Sequence, residues 1–247
     1  LNSLLQRLAL ALEGEQRFTA NAAHELQTPL AAIKTEVQVC QRLLQDEEGK
    51  AGLERIALRV DRASHTVSQL LTLARVDPES SPPDTAIALR ALMVEVVAET
   101  AHLAAERGLD VNFKAGNEMM IVGSEEALAI LLRNLLINAF RYASVDSEVR
   151  IGLEPSGGGA LLEISNDCNA LEAAEFGRLT ERFYRVPGSA GLGAGLGLSI
   201  VKRIADSHGA SFTVRPESGG VGFCAQVAFP EIKAVREQRP VGPDALD

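Results

Sequence analysis

The sequence places a histidine beside a glutamate, His24 and Glu25, in FTANAAHELQTPLAAIK, with Thr28 and Pro29 shortly after. Neutral imidazole dominates near neutral pH because its unperturbed pKa is about 6.5. One ring nitrogen can then attack phosphorus while a neighbouring carboxylate takes the proton from the other. The residue four after His24 is Thr28, so the pair does not begin an HExxH zinc-protease motif. Pro29 deprives the Glu25 carbonyl of its helical hydrogen bond and crowds the preceding turn, which loosens a helix beside the nucleophile.

A phosphate donor is the complement that such a pair needs, and two stretches could bind one. In LLRNLLINAFRYA, Asn134 and Asn138 lie four apart and share one helix face, with Arg141 and Tyr142 following. Carboxamide oxygens suit a hydrated Mg²⁺ held mainly by phosphates. In GLGAGLGLSIVKRIADSHG, Gly191, Gly193, Gly195 and Gly197 alternate just ahead of a helix. Glycine lets backbone N–H groups and a helix N-terminus approach phosphates closely. This spacing is neither GxGxxG nor GxxxxGK[ST], so Rossmann and P-loop assignments lack support.

These residues need elements to hold them. An apolar stripe from Leu1 through Leu12, Leu30 and Val37 predicts one helix to about Leu44, ended by QDEEGK, and a heptad-like series from Leu53 to Ala74 predicts a second. A hairpin of two such helices buries one seam only, so pairing with a second copy into a four-helix bundle covers the rest. DPESSPPDT, residues 77–85, reads as a linker. Beyond it the pattern predicts helices over 91–107, 124–142 and 196–208, and strands over 109–115, 149–154, 160–165, 211–215 and 222–229. That order suggests an α+β sandwich, with an aperiodic tail over 231–247.

Across 247 residues the net charge of -9 disfavours nucleic acid and acidic membrane surfaces as partners. Three widely spaced cysteines suggest neither a disulfide framework nor a zinc site, and Cys40 and Cys224 read as small core residues. No apolar run approaches membrane-spanning length. The chain opens without Met and already in helical rhythm, as a piece of a longer protein would.

FTANAAHELQTPL resembles the H box of the sensor histidine kinases of two-component systems, NLLINAFRYA their N box, ERFYR their F box and GLGAGLGLSIV their G2 box, all in the family's order. The detail is most similar to the membrane sensors of the quorum-sensing and polymyxin-resistance type. The resemblance implies an all-α dimerisation hairpin, a four-helix bundle as a homodimer, followed by an α+β Bergerat-fold ATP-binding sandwich. It divides the chain into the end of a HAMP-type signalling helix (1–16), the phosphotransfer hairpin (17–76), the linker (77–85), the catalytic domain (86–230) and the tail (231–247). His24 is then the phosphoacceptor, Glu25 its proton acceptor, and Thr28 a residue that orients water to dephosphorylate the partner. Asn138 is the Mg²⁺ ligand with Asn134 in support, Arg141 and Tyr142 flank ATP, and Gly193, Gly195 and Gly197 bind its phosphates. Phe176, Phe183 and Arg185 belong to a lid and its hinge. The implied partner is a cognate response regulator. The implied setting is the cytoplasmic portion of a bacterial inner-membrane sensor, whose membrane segment would lie upstream.

One box departs from the family's D-x-G-x-G adenine run. Asn166 stands at the usual Asp, while Cys168 and Ala170 replace both glycines. An amide oxygen accepts from the adenine amino group less strongly than a carboxylate does. Two arrangements stay open: Asn166 replaces the Asp, or Asp167 substitutes after a one-residue shift. Relatives of the gyrase and chaperone type carry a glutamate base one helical turn before the magnesium Asn. Asn134 stands at that place and cannot usefully accept a proton, which favours transfer to His24 over hydrolysis.

Overall fold

The computed structural model describes residues 25–75, 85–169, 171–187, 194–217 and 222–231. His24, Gly193, residues 1–16, all of the expected linker except Thr85, and the tail beyond Glu231 lie outside them.

Helix α1, described over 25–43, pairs with α2 (Glu47–Arg75) as the predicted hairpin. The helical assignment of α1 runs on through Pro29. Val37, Val60, Val67 and Leu71 are buried, and Leu30 packs against the last two. Gln27 Nε2 donates to Ser68 Oγ at 3.2 Å, and Lys34 pairs with Asp61 at 2.7 Å. The second helix begins earlier than Leu53. The Asp46 carboxylate accepts from Gly49 N at 2.7 Å, and Glu47 and Glu48 suit the positive end of the helix dipole. QDEEGK is therefore largely a capped first turn. Leu26, Ile33, Val39, Leu43, Ile56 and Leu58 remain exposed on the hairpin. Cys40, expected in the core, is exposed on α1, whereas Cys224 is buried.

The second half is a two-layer sandwich. Strands β2 (Asp110–Ala115), β4 (Glu148–Ser156), β5 (Gly159–Asn166), β6 (Ser211–Pro216) and β7 (Phe223–Phe229) form a sheet in the order β2-β4-β5-β7-β6. Only the β2–β4 pair is parallel. Alternation sends Val149, Ile151, Leu153, Leu162, Ile164, Ala225 and Val227 into one buried face. Helices α3 (Leu89–Ala105), α4 (Glu125–Tyr142) and α6 (Gly197–Ser207) join them in a single core. The strands β1 (Ala86–Ala88) and β3 (Met120–Val122), absent from the sequence reading, pair antiparallel apart from the large sheet. So was α5 (Ala173–Phe176), one turn closed by a capping box between Glu172 and Glu175.

Helix α4 is fixed at both ends. At its start Ser124 Oγ accepts from Ala127 N at 3.3 Å, and Ser124 N donates to His208 Nε2 at 3.1 Å. The His208 Nδ1–H donates to Ile204 O at 2.8 Å, which fixes the neutral tautomer, and burial holds its pKa below the ordinary value. At the other end Arg107 Nη1 donates to Phe140 O at 2.6 Å and to Arg141 O, and Nη2 donates to Ala143 O at 2.9 Å.

Candidate active site

A cavity of about 680 Å³ opens beside the last turns of α4. Asn134, Asn138, Arg141 and Tyr142 line it from the helix, Cys168 and Asn169 from the segment after β5, and Gly195 and Gly197 from the start of α6. The N box, the adenine-box segment and the described part of the glycine stretch, dispersed in sequence, therefore meet at one place. Tyr184 and Arg185 close another wall.

The two asparagines are held differently. Asn134 Nδ2 donates to Ile130 O at 2.8 Å, which orients its Oδ1 to accept from Gln69 Nε2 of α2 at 3.4 Å. A Cβ on Gly197 would lie 3.3 Å from that oxygen. Asn138 has no hydrogen bond to its side chain among the described residues, which leaves its amide available to a ligand.

Asn166 and Asp167 part company at the end of β5. Asn166 is 0% exposed, and its Oδ1 has no hydrogen-bond partner among the described residues. Its register partner, Phe223, lines the cavity. Asp167 instead meets Arg150 Nη2 at 2.9 Å. Arg150 also binds Glu217 and reaches Glu148 at 3.3 Å. Partial burial disfavours the charged guanidinium, but these hydrogen bonds outweigh it and raise the pKa of Arg150. The one-residue shift thus finds the Asp167 carboxylate already occupied. Cys168, standing where a glycine is usual, has its thiol pKa raised by burial and by the Asp167 charge, so the neutral thiol faces the cavity.

Other expected residues sit as follows. Phe183 is 61% exposed with φ 64°, and its N–H donates to Gly195 O at 2.9 Å. Gly195 has φ 71°, and a Cβ there would lie 2.6 Å from Tyr184 O, so the backbone at Phe183 and Tyr184 and the glycine stretch touch where only glycine fits. Phe176, expected in the lid, is a core residue whose ring stacks on Phe223 at 6.5 Å. Glu25 and Thr28 are exposed at the start of the described part of α1. Sequence reasoning missed Arg107 and Gln69, which line the cavity from elements bearing no motif. It also missed Tyr184, over which Arg178 stacks at 4.1 Å; ERFYR contained it.

Comparison with known proteins agrees with this architecture. Residues 123–233 match the family model for histidine kinase-, DNA gyrase B- and HSP90-like ATPases, and residues 15–79 match that for the His Kinase A (phospho-acceptor) domain. A phospho-acceptor hairpin ahead of an ATPase-type sandwich is the class that the fold and the two matches define. The sensor protein kinase PmrB of Pseudomonas aeruginosa is 34% identical over 99% of this chain and 52% of its own length. The sensor protein QseC of Escherichia coli K12 is 36% identical over 93% of this chain and 51% of its own. The solved cytoplasmic segment of histidine kinase QseC superposes with a TM-score of 0.50 at 29% identity, covering 69% of this chain and 94% of that one. Full-length ShkA, crystallised with AMPPNP, gives 0.71 at 21% identity over 87% of this chain and 45% of its own, a likeness of fold alone. The chain belongs to the sensor histidine kinases, and it spans about half the length of the curated relatives named here.

Proposed function

We propose that this chain phosphorylates itself on His24 from ATP and passes the phosphoryl group to an aspartate of a response regulator. The observation that carries this reading is the meeting of Asn134, Asn138, Gly195 and Gly197 around one cavity, next to which the buried Asn166, register partner of the lining Phe223, keeps an unmet acceptor. That acceptor fits the amino group of adenine, and the free amide of Asn138 fits an oxygen ligand to Mg²⁺. When bound, Mg²⁺ neutralises charge on the phosphate oxygens.

The chain's own residues do the rest. The backbone at Gly195 and Gly197 and the start of α6 face the phosphates, while Arg141 and Tyr142 flank the nucleotide. Phe183 and Arg185, with Gly193, belong to the closing side of the site. One nitrogen of His24 attacks the γ-phosphorus in line with the leaving β–γ bridging oxygen, and Glu25 takes the proton from the other nitrogen. Thr28 orients water in the reverse task, removal of phosphate from the regulator. The exposed apolar side chains of the hairpin support a homodimer. No helix among the described residues is long and apolar enough to cross a membrane. The likeness to the solved cytoplasmic segment of histidine kinase QseC supports a place at the cytoplasmic side of a bacterial inner membrane.

Incubation with radiolabelled Mg²⁺-ATP tests the reading. The parent chain should gain acid-labile, base-stable phosphate, and His24→Ala should gain none. Label of that kind on His24→Ala, or none on a folded parent that binds ATP and is a dimer, would refute the assignment.

A further inference from the structure

Among the described residues, Gln69 is the only side chain of the hairpin that lines the cavity. Leu73, four residues on, shares its face of α2 and is buried in the core of the sandwich, and Leu70 packs against that core. Those leucines hold Gln69 at the cavity. Its Nε2 donates to Asn134 Oδ1 at 3.4 Å, longer than a usual N–H···O bond and so readily exchanged for a better donor. Asn134 cannot turn its oxygen away without loss, because its Nδ2 donates to Ile130 O at 2.8 Å. On another side a Cβ at Gly197 would lie 3.3 Å from the same oxygen. The start of α6 and Gln69 thus both crowd Asn134 Oδ1.

Chemistry limits what can take the place of Gln69. Asn134 Oδ1 is an acceptor, and the phosphate oxygens of an ionised nucleotide are acceptors too, so neither satisfies the other. The waters around Mg²⁺ are donors, and Mg²⁺ keeps several of them when it binds phosphates. A hydrated Mg²⁺ brought in with a nucleotide therefore competes with Gln69 for one oxygen, whereas a metal-free nucleotide does not.

We infer that Gln69 opposes loading of this pocket by Mg²⁺-nucleotide, because in the docked hairpin it occupies the Asn134 oxygen that the metal's water shell would use. The inference rests on the nucleotide reading above. The test is calorimetric titration of the 247-residue chain with AMPPNP, once with Mg²⁺ and once with EDTA. Gln69→Ala should bind Mg²⁺-AMPPNP about three- to tenfold more tightly than the parent, the worth of one net hydrogen bond, while affinity in EDTA stays within about twofold. Gln69→Met keeps the length but donates nothing, and should match the alanine variant; it decides the matter if circular dichroism shows that alanine disturbs the fold. Leu73→Ala loosens the docking that holds Gln69, so it should also tighten Mg²⁺-AMPPNP, and adding Gln69→Ala to it should gain less than in the parent. Unchanged or weaker Mg²⁺-AMPPNP binding in the folded Gln69 variants would overturn the inference; weakening both with and without metal would make Gln69 a phosphate ligand instead. An equal gain in EDTA would overturn it as well, since competition with the metal's waters predicts none. Failure of Mg²⁺-AMPPNP to bind the folded parent and every variant would overturn the nucleotide reading along with it.

Discussion

Replacing Arg107 with alanine should loosen the end of α4 that carries the site. Its guanidinium meets three carbonyls, those of Phe140, Arg141 and Ala143, where a helix leaves acceptors without intrahelical donors. A net hydrogen bond is worth about 1 kcal/mol, and charge assistance raises that, while the half-buried position lets water recover part of the loss. The expected cost is about 2–3 kcal/mol, or a fall in Tm of about 4–12 °C for a chain of this size. The protein has no tryptophan and two tyrosines, Tyr142 and Tyr184, both lining the cavity. Tyrosine emission during thermal unfolding therefore reports from the site itself. Arg107→Lys keeps the charge but offers a point donor in place of a planar fork, and should restore less than half of the loss. An alanine variant within about 0.5 kcal/mol of the parent would refute the idea that the clamp holds α4.

Two further outcomes follow from the same contacts. Gly195→Ala must enter a left-handed conformation with its Cβ against Tyr184 O, so nucleotide affinity measured by calorimetry should fall at least about tenfold as residues 183–184 shift; unchanged affinity would contradict that packing. His208 is neutral when folded and has a depressed pKa, so the unfolded state binds the extra proton first and stability falls as pH drops below the ordinary value of 6.5. Urea midpoints from about pH 7.5 to about pH 5 should show this decline in the parent and lose it in His208→Leu; an equal slope in both would exclude His208 as its source.

Long periodic elements were readable because their burial repeats over several turns: α2 through its heptad-like seam, and α4 through Leu128, Leu132, Leu135 and Leu136, announced by Ser124. Strands β1 and β3 have three residues each, too few for an alternation to register, and α5 is a single turn. Asp46 explains the misplaced start of α2, since a capping carboxylate inside a charged run looks like a turn in sequence alone. The motifs marked which segments converge, yet the division of labour between neighbours was hidden. Whether Asn166 or Asp167 faces the core depends on the phase of β5 and on Arg150 across the sheet, a partner 17 residues from Asp167. Arg107 had no motif around it, and its role exists only because the chain brings the end of α3 beside the end of α4.

Leu73, near the end of α2, is 7% exposed and belongs to the same core as the sheet and its helices, and Leu70 packs against that core. The hairpin and the sandwich are thus not independent bodies in this arrangement: they share side chains. Any movement that carries the sandwich away must bring Leu73 back into water, at a cost of about 2–3 kcal/mol. That cost alone favours the docked population about 30- to 150-fold. A small rotation or slide of α2 acting on this one leucine would therefore be enough to redistribute the ensemble, and the same movement would shift Gln69, which α2 carries to the cavity.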